Sequence, residues 1–380
     1  MAISVSTGLP QTARRLAILA NAAAGDKPRS CWAAKIAGAF SFLITPVSPP
    51  CCHESLLLLA RIELGGPTVA RNQVQFQHGL STADFHRLYG TEEQCRAALG
   101  RMRWPDGFDC PKCGCREHGY CEPRGLFQCR ACRVQTSARA GTIFHKSRTP
   151  LAKWFLAMHL LTASKNDISG LELARQLDVK WDTAWLIKQK LLEVMLQRNS
   201  MYKLAGDIQV DDAYQGGEKA GKRGRGAASK LPFVIAVATR DGHPVYTHLR
   251  VVPGFTKEAI RDYATSNIEA GARVLTDGLG CFNGFDEAGI KHVVKLTGGR
   301  PSGGDFKWVN TGLGNVKGAI TGTCRSIDIR HTPRYLAGYE WRFNRRFDLP
   351  QNLERLARFA VTVAPKPHRE IAAVRAETPG

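Results

Sequence analysis

The sequence predicts an α/β protein in which a mixed sheet covered by helices follows a small cysteine ribbon and a helical segment. Three patterns carry this prediction: two Cys-x-x-Cys pairs, helical spacing of apolar residues over 150–195, and β-rich runs from residue 208 onward. With 380 residues, the chain has room for two or three domains. The expected segments are a poorly ordered leader (1–75), a helix with the ribbon (76–148), a helical segment (149–204), the mixed-sheet domain (205–362) and a tail (363–380).

The leader carries seven Lys or Arg residues, three acids and no sustained period. Its Arg14-Arg15 pair precedes an apolar run and could belong to a targeting peptide. An unrelated extension, or a true start further downstream, is the plainer interpretation. From Ser81 onward the pattern becomes that of a folded protein, with Ser81 and Thr91 placed as helix N-caps.

The overall charge indicates an anionic partner. Lys and Arg number 53 against 33 Asp and Glu, which gives a net charge of +20. Such a surplus favours a nucleic acid or an acidic membrane, although a generally basic protein would share it. The longest apolar run, residues 36–47, is shorter than the roughly 18 residues that span a bilayer. We therefore expect a protein of the cytoplasm.

Four cysteines have the spacing of a zinc site. Cys110-Pro-Lys-Cys113 is followed after fifteen residues by Cys129-Arg-Ala-Cys132. Each pair can present two sulfurs on one edge of a tetrahedron, and the intervening hairpin brings the second pair back. A redox pair or chance clustering among twelve cysteines is the alternative. The other eight show no framework spacing, which is typical of a reducing interior.

Residues 150–195 predict three helices. Pro150 opens the first, Ser169 caps the second, and the third runs over 183–195 after a short turn at 178–181. This outline is that of a helix-turn-helix, whose last helix could enter a DNA major groove. Any small helical hairpin would look the same.

Four β-rich runs and one helix follow. The strands are predicted over 208–214, 233–239, 245–252 and 273–276, with a helix over 256–270. Asp211 ends the first run and Asp277 ends the last. Carboxylates at adjacent strand ends can converge and bind Mg²⁺ through oxygen, although an Asp beside Gly is often only a turn residue. Strand alternation predicts that Asp212 points to the opposite face.

Two basic segments are candidate phosphate contacts. A glycine-rich stretch over 217–232 carries five basic residues against one acid, and a solvated hairpin tip is its alternative. Near the C-terminus, three arginines fall on one face of a predicted helix, where they could clamp phosphates or pair with acids. The candidates are Lys219, Lys222, Arg223, Arg225, Arg342, Arg345 and Arg346.

Together these residues resemble bacterial insertion-sequence transposases with a zinc ribbon and a DDE-type, RNase H-like catalytic domain. The resemblance covers about residues 78–360. It rests on Cys110-Pro-Lys-Cys113-Gly, the Cys129/Cys132 pair, Val210-Asp-Asp-Ala-Tyr-Gln-Gly-Gly217, Thr276-Asp-Gly278, Leu313-Gly-Asn-Val-Lys317 and Trp341-Arg-Phe-Asn-Arg-Arg346.

The resemblance implies binding to terminal inverted repeats, strand cleavage and strand transfer with two Mg²⁺ ions. It implies Asp211 and Asp277 as the first two catalytic acids, Asn315 in the third position and Lys317 as a DNA contact. The partners would be double-stranded DNA at the element ends and the target, with the protein acting as a nucleoid-associated homo-oligomer. Glu340, Asp305 and Asn310 are competing third ligands.

One departure from the family pattern concerns activity. Members similar to this chain carry an acid four residues before the position of Arg342, where this chain has Gly338. The alternatives are therefore an inactive, transposase-derived DNA-binding protein, or a zinc-ribbon nuclease that makes no joined products.

Overall fold

The computed structural model describes residues 78–216, 230–296, 304–325 and 327–373. The predicted leader lies outside these residues, as do Lys219, Lys222, Arg223 and Arg225. None of the helices in the described part of the chain combines the length and apolar character needed to cross a bilayer.

Two capped helices begin the fold, as the sequence predicts. In α1 (Thr82–Tyr89), the Ser81 side chain accepts a hydrogen bond from the N–H of Asp84. In α2 (Glu92–Arg103), Thr91 and Gln94 form a complete capping box. These caps satisfy N–H groups that no turn of the helix can reach.

The cysteine segment forms a small antiparallel ribbon. Its strands are β1 (His118–Cys121), β2 (Leu126–Cys129) and β3 (Gln135–Thr136), paired in the order β1-β2-β3. Gly125 lies between the first two strands at a φ of 60°, a conformation that favours glycine. Beneath the ribbon, Phe108 stacks on Phe127 with ring centroids 5.4 Å apart.

The central helices are α3 (Leu151–Ala163), α4 (Gly170–Leu177) and α5 (Trp181–Asn199). They share one core with two helices from the end of the chain, α9 (Thr332–Asn344) and α10 (Asn352–Ala360). Buried side chains from both parts meet in this core, among them Phe155, Leu161, Leu191, Leu192, Trp341 and Leu356. The helical segment is therefore not separated from the C-terminal residues.

Much of α5 is buried, so its predicted role as a groove-reading helix depends on its first turn. Its exposed residues are Trp181 and Asp182 in the first turn, and buried positions run from Ala184 to Asn199. The helix is enclosed because α3, α4, α9 and α10 all pack on it. Recognition helices contact base edges with their N-terminal residues, so DNA binding by the exposed first turn of α5 stays a prediction.

A five-stranded mixed sheet follows. It comprises β4 (Asp207–Gln215), β5 (Leu231–Arg240), β6 (His243–Val251), β7 (Arg273–Thr276) and β8 (Lys291–Val294), in the order β6-β5-β4-β7-β8. The first three strands are antiparallel, and β7 and β8 run parallel to β4. Four of these strands are predicted from the sequence, but the short fifth one is not. This architecture confirms the RNase H-like fold.

Helices cover both faces of the sheet. On one face, α6 (Lys257–Asn267) and the short α7 (Gly284–Glu287) pack against even-numbered positions of β4 such as Ile208 and Val210. On the other face, α8 (Lys307–Cys324) and α9 pack against odd-numbered positions of β5 such as Ile235. The alternation of side chains along each strand produces these two cores.

Residues 363–373, which the sequence assigns to a tail, pack onto the fold, and the rest of the predicted tail lies outside the described residues. A short helix, α11 (His368–Ala373), buries Ile371 completely, and the backbone carbonyl of that residue accepts a hydrogen bond from Arg334 at 3.0 Å. Val363 is also buried.

Candidate metal centres

The sheet register brings two of the predicted acids together. Parallel pairing of β4 with β7 runs from Asp207 opposite Arg273 to Gln209 opposite Leu275. Two residues further along each strand, Asp211 and Asp277 emerge side by side at the carboxyl end of the sheet. Carboxylate oxygens of Asp211, Asp212 and Asp277 all lie within 4.8 Å of one another.

Backbone groups orient two of these carboxylates. An Asp211 oxygen accepts a hydrogen bond from the N–H of Asp212 at 2.9 Å. An Asp277 oxygen accepts one from the N–H of Leu279 at 3.1 Å. This turn requires Gly278, whose φ is 91° and whose absent Cβ would lie only 2.7 Å from a methyl group of Leu296. The local sequence therefore holds Asp277 in one orientation.

The cluster has an excess of negative charge. The pKa of Asp211 is raised to about 6, first by burial and then by the nearby carboxylates of Asp212 and Asp277. Lys317 on α8 opposes this rise, which places its positive charge close enough to act on Asp211. Oxygen ligands at this spacing are those that Mg²⁺ and similar hard cations prefer, so the donor set fits a divalent metal.

Asp212 was expected on the opposite face, and its inclusion in the cluster is a correction. The pairing of β4 with β7 ends at Gln209, whereas Asp212 still pairs with Val234 of β5. Beyond the end of the β4–β7 pairing, a carboxylate oxygen of Asp212 comes within 4.8 Å of those of Asp211 and Asp277. The signal that sequence reasoning missed is the Asp-Asp pair placed just beyond the end of a short neighbouring strand.

Asn315 and Lys317 lie on the exposed side of α8. The Asn315 side chain makes a hydrogen bond with the hydroxyl of Tyr339 in α9, whereas Lys317 acts electrostatically on Asp211. Two residues along a helix differ by about 200° in direction, so the two side chains face different surroundings. The position of Asn315 as third ligand stays a prediction.

Glu340 is not a metal ligand in this structure. It is fully buried and forms a two-point ion pair with Arg250 on β6. It also accepts hydrogen bonds from the N–H of Leu249 at 3.1 Å and the hydroxyl of Tyr202 at 3.3 Å. Its role is to join α9 to the sheet. Asp305, another competing ligand, pairs with Lys295, and Asn310 is exposed.

The three C-terminal arginines do not form a common DNA-facing surface, which corrects the sequence prediction. Arg342 is 6% exposed, with its Nη1 3.8 Å from Asp167.

The other two arginines are held by aromatic rings and carbonyls. The Arg345 guanidinium lies 3.5 Å from the ring centre of Trp341, and burial lowers its pKa to about 10. Arg346 donates to the carbonyl of Val245 at 3.1 Å and also to that of Pro244. These contacts exist because the helix is packed between the sheet and α5 rather than facing solvent.

The four ribbon cysteines converge as predicted, with all four sulfurs within 4.8 Å of one another. Cys110 Sγ lies 3.5 Å from Cys132 Sγ, and Cys113 Sγ lies 3.6 Å from Cys129 Sγ. Zinc–sulfur bonds of about 2.3 Å in a tetrahedron require sulfurs roughly 3.8 Å apart, so the spacing fits Zn²⁺.

The two knuckles are built alike. The N–H of Gly114 donates to the carbonyl of Cys110 at 2.9 Å, and the N–H of Arg133 donates to that of Cys129 at 3.1 Å. The N–H of Cys132 donates to the Cys129 sulfur and lowers the pKa of that thiol to about 6, whereas hydrogen bonds among the sulfurs raise the pKa of Cys113 to about 12. A lowered pKa favours the thiolate, which is the form that binds metal.

Comparisons with known proteins agree with both sites. Residues 203–344 match the model of the ISXO2-like transposase domain, and residues 90–135 match that of the transposase zinc-ribbon domain. The chain is 23% identical over 277 residues to an uncharacterized protein in transposable element ISH50 of Halobacterium salinarum, covering 64% of this chain and 92% of that protein.

A solved structure gives a weaker likeness. A chain of a pre-cleavage Mos1 transpososome is matched over 53% of this chain and 76% of its own length, at 11% identity. Its TM-score of 0.17 is too low to support any conclusion. The two family matches, by contrast, contain all four clustered cysteines and all three clustered aspartates.

Proposed function

We propose that this chain binds the terminal inverted repeats of its own insertion sequence and catalyses metal-dependent strand cleavage and strand transfer. It matches an ISXO2-like transposase domain over residues 203–344 and a transposase zinc-ribbon domain over residues 90–135. The observation that carries the proposal is the convergence of Asp211, Asp212 and Asp277 at the end of the sheet. The family matches support the reaction class, because they cover this cluster and the ribbon.

Divalent cations bound at this cluster would activate a water molecule or a 3′-hydroxyl and stabilise the leaving oxygen of the phosphodiester. The chain itself supplies the charge and the alignment. Asp211 and Asp277 hold their carboxylates in fixed orientations through the N–H groups of Asp212 and Leu279. Such pre-orientation lowers the reorganisation needed when charge develops on the phosphate.

Asn315 and Lys317 complete the proposed site. Asparagine would add a neutral carbonyl oxygen, so a site with Asn315 in third position would carry less negative charge than one with glutamate. Lys317, whose charge reaches Asp211, would contact a DNA phosphate close to the acids. As in related recombination reactions, two DNA ends must be paired, so the proposed active form is a homo-oligomer on double-stranded DNA.

The test uses a supercoiled plasmid that carries the genomic DNA flanking the coding sequence. With Mg²⁺, the protein is expected to nick at the element ends and to produce joined strands. Asp277→Asn should reduce both products by about a hundredfold or more, since one oriented charge at the reacting centre is lost. The matched control is Asp262→Asn, because Asp262 is an exposed acid on α6.

Three outcomes separate the candidate functions. Joined products that disappear in Asp277→Asn support the transposase. Nicking without joined products assigns the chain to the nucleases. Tight DNA binding with no cleavage in Mg²⁺ or Mn²⁺ assigns it to inactive DNA-binding proteins, the alternative that Gly338 suggests.

A further inference from the structure

A basic groove lies between the ribbon and the helical core. Its volume is about 560 Å³, which is large enough for a nucleotide and far larger than a single ion needs. The charged residues that line it are four arginines and one glutamate: Arg96, Arg124, Arg139, Arg148 and Glu92. Tyr120 and Phe127 of the ribbon complete the wall. We call these seven residues the ribbon groove.

The floor of the ribbon groove is a fixed ion pair. Arg139 Nη2 lies 2.8 Å from Glu92 Oε1, and Arg139 Nη1 donates to the carbonyls of Ser147 and Thr149 at 3.1 Å. Glu92 also accepts a hydrogen bond from the N–H of Ala152 at 3.1 Å. Each group here is satisfied within the protein. The floor is therefore structural, and it neutralises one positive charge.

The rims carry positive charge that the described residues do not neutralise. Arg124 on the ribbon side and Arg148 on the helical side are both exposed. Neither has a hydrogen-bond or ion-pair partner among the residues that the structure describes. Arg96 also lines the groove, and its Nε lies 3.5 Å from a carboxylate oxygen of Glu92. A groove with uncompensated cations on opposite rims fits a ligand with repeated negative charge.

An exposed aromatic ring stands at the same groove. Tyr120 is 49% exposed, although its ring rests on Phe127 with centroids 4.8 Å apart. A supported but exposed ring beside arginines can stack on a base or pack on a sugar, as in proteins that bind nucleic-acid strands. A groove that recognised only inorganic anions would have no use for this ring.

From these contacts we infer that the ribbon groove binds the sugar–phosphate backbone of DNA, with Arg124 and Arg148 on phosphates and Tyr120 on a sugar or base. This inference rests on the proposed function, since it names the surface that holds the DNA.

The experiment measures how the affinity for a 30-base-pair duplex of arbitrary sequence depends on KCl concentration, using the full chain with zinc bound. Each phosphate contact adds about 0.9 to the magnitude of the slope of log K against log salt. The double variant Arg124→Ala/Arg148→Ala should therefore lower that magnitude by about 2. The matched control is Arg240→Ala. Arg240 is an exposed cation at the end of β5 and is not one of the residues that line the groove, so its removal should leave the slope unchanged.

The DNA affinity of Tyr120 variants gives an independent test. Tyr120→Ala should weaken binding roughly tenfold, whereas Tyr120→Phe keeps the ring and should bind like the unmodified protein. Zinc content and thermal melting are measured for every variant. Both rim arginines are exposed and unpaired, so their replacement should leave these values unchanged.

An unchanged slope in the double variant, or competition by inorganic phosphate at the groove without any effect on DNA binding, would overturn the inference. The proposed function is judged separately by cleavage. If the protein cleaves DNA but the double variant has an unchanged slope, only the DNA-binding role of the ribbon groove is rejected. If the double variant has a reduced slope but the protein does not cleave DNA, only the transposase function is rejected.

Discussion

The protonation of Asp211 is the residue-scale property that connects the fold with metal binding. Its folded-state pKa is about 6, above the ordinary value of 3.8. The folded protein therefore binds this proton more tightly than the unfolded chain, so the contribution of Asp211 to stability is present at low pH and is lost as the pH rises through about 6. A bound cation reverses this preference, because it requires the carboxylate.

The first prediction follows from this loss of stability as the pH rises through about 6. Without added divalent metal, Asp211→Asn should raise the free energy of unfolding at pH 8 and change it little at pH 4, because asparagine resembles the protonated acid. Urea denaturation at the two pH values measures this, with Asp262→Asn as the exposed control. Equal effects of Asp211→Asn at both pH values would show that the carboxylate does not carry a buried charge.

Mn²⁺ affinity gives a second pH-dependent prediction. Below about pH 6 a proton competes with the metal at Asp211, so affinity should fall about tenfold per pH unit. Isothermal titration from pH 5 to 8 tests it. A flat affinity across this range would contradict the role of Asp211 as a ligand.

The third prediction concerns Glu340, which lies in the interior against Arg250. Replacing it with glutamine leaves the Arg250 cation buried without its partner, which costs about 3–5 kcal/mol of unfolding free energy. The control is Glu354→Gln, since Glu354 pairs with Arg358 at the surface and should matter little. Similar denaturation midpoints for both variants would show that the buried ion pair does not join α9 to the sheet.

Single residues also show what the sequence could and could not predict. Asp211 and Asp277 were identifiable because each ends a β-rich run, and parallel neighbours expose their ends at the same edge. Asp212 was expected away from the other two acids, but alternation alone does not show how closely a carboxylate approaches its neighbours at a strand end. The C-terminal arginines were also misplaced, since helix periodicity shows which residues share a face but not what covers it.

At the scale of elements, α9 explains how the helical core and the sheet are held together. It packs on α5 on one side and on β6 on the other. At the contact with α5, Gly338 lies so close to Leu192 that a Cβ would be 2.6 Å from its methyl group. This chain has Gly338 where similar transposases carry an acid, and this is the position at which α9 and α5 approach each other closely.

The fourth prediction uses that contact. Gly338→Ala should lower the free energy of unfolding by about 1–3 kcal/mol, because the added methyl group overpacks the core. Gly314→Ala on α8 is the matched control, since nothing lies within 4 Å of its Cβ position. That change should raise stability by about 0.5–1 kcal/mol through helix propensity. If thermal denaturation showed that both Gly338→Ala and Gly314→Ala stabilise the protein, the close approach of Gly338 to Leu192 would be ruled out.

Element types were largely predictable, and their surroundings were not. The strands from β4 to β7 and the helix between the last two follow from their periods. The turn between α4 and α5 was also foreseen, with Asp178 at a φ of 49°. The burial of α5 depends on α9 and α10, which arrive more than 130 residues later in the chain. Local pattern carries no information about such distant partners.

At the scale of the whole molecule, the ribbon and the helical core are stabilised by different means. The core buries a large apolar cluster drawn from both ends of the described chain. The hydrophobic cluster of the ribbon has three buried members, Phe108, Cys110 and Cys129, with a few partly covered neighbours. For so small a cluster, zinc bound by the four cysteines would contribute much of the stability of the ribbon.

Metal removal gives the fifth prediction. The purified protein should contain one zinc per chain, and chelation should unfold the ribbon while leaving hydrogen-exchange protection in α5 and β5 intact. Elemental analysis and exchange mass spectrometry measure the two quantities. Absence of zinc, or loss of protection throughout the chain on chelation, would contradict this division.

Binding of Mn²⁺ to the aspartate cluster is the decisive measurement, because each proposed step of cleavage and joining needs the three carboxylates to act as one metal site. Titration monitored by electron paramagnetic resonance at pH 8 should show saturable Mn²⁺ binding in the zinc-loaded protein. That binding should be lost in Asp211→Asn and Asp277→Asn and retained in Asp262→Asn. Equal Mn²⁺ binding in all four proteins would mean that the cluster is not a metal centre.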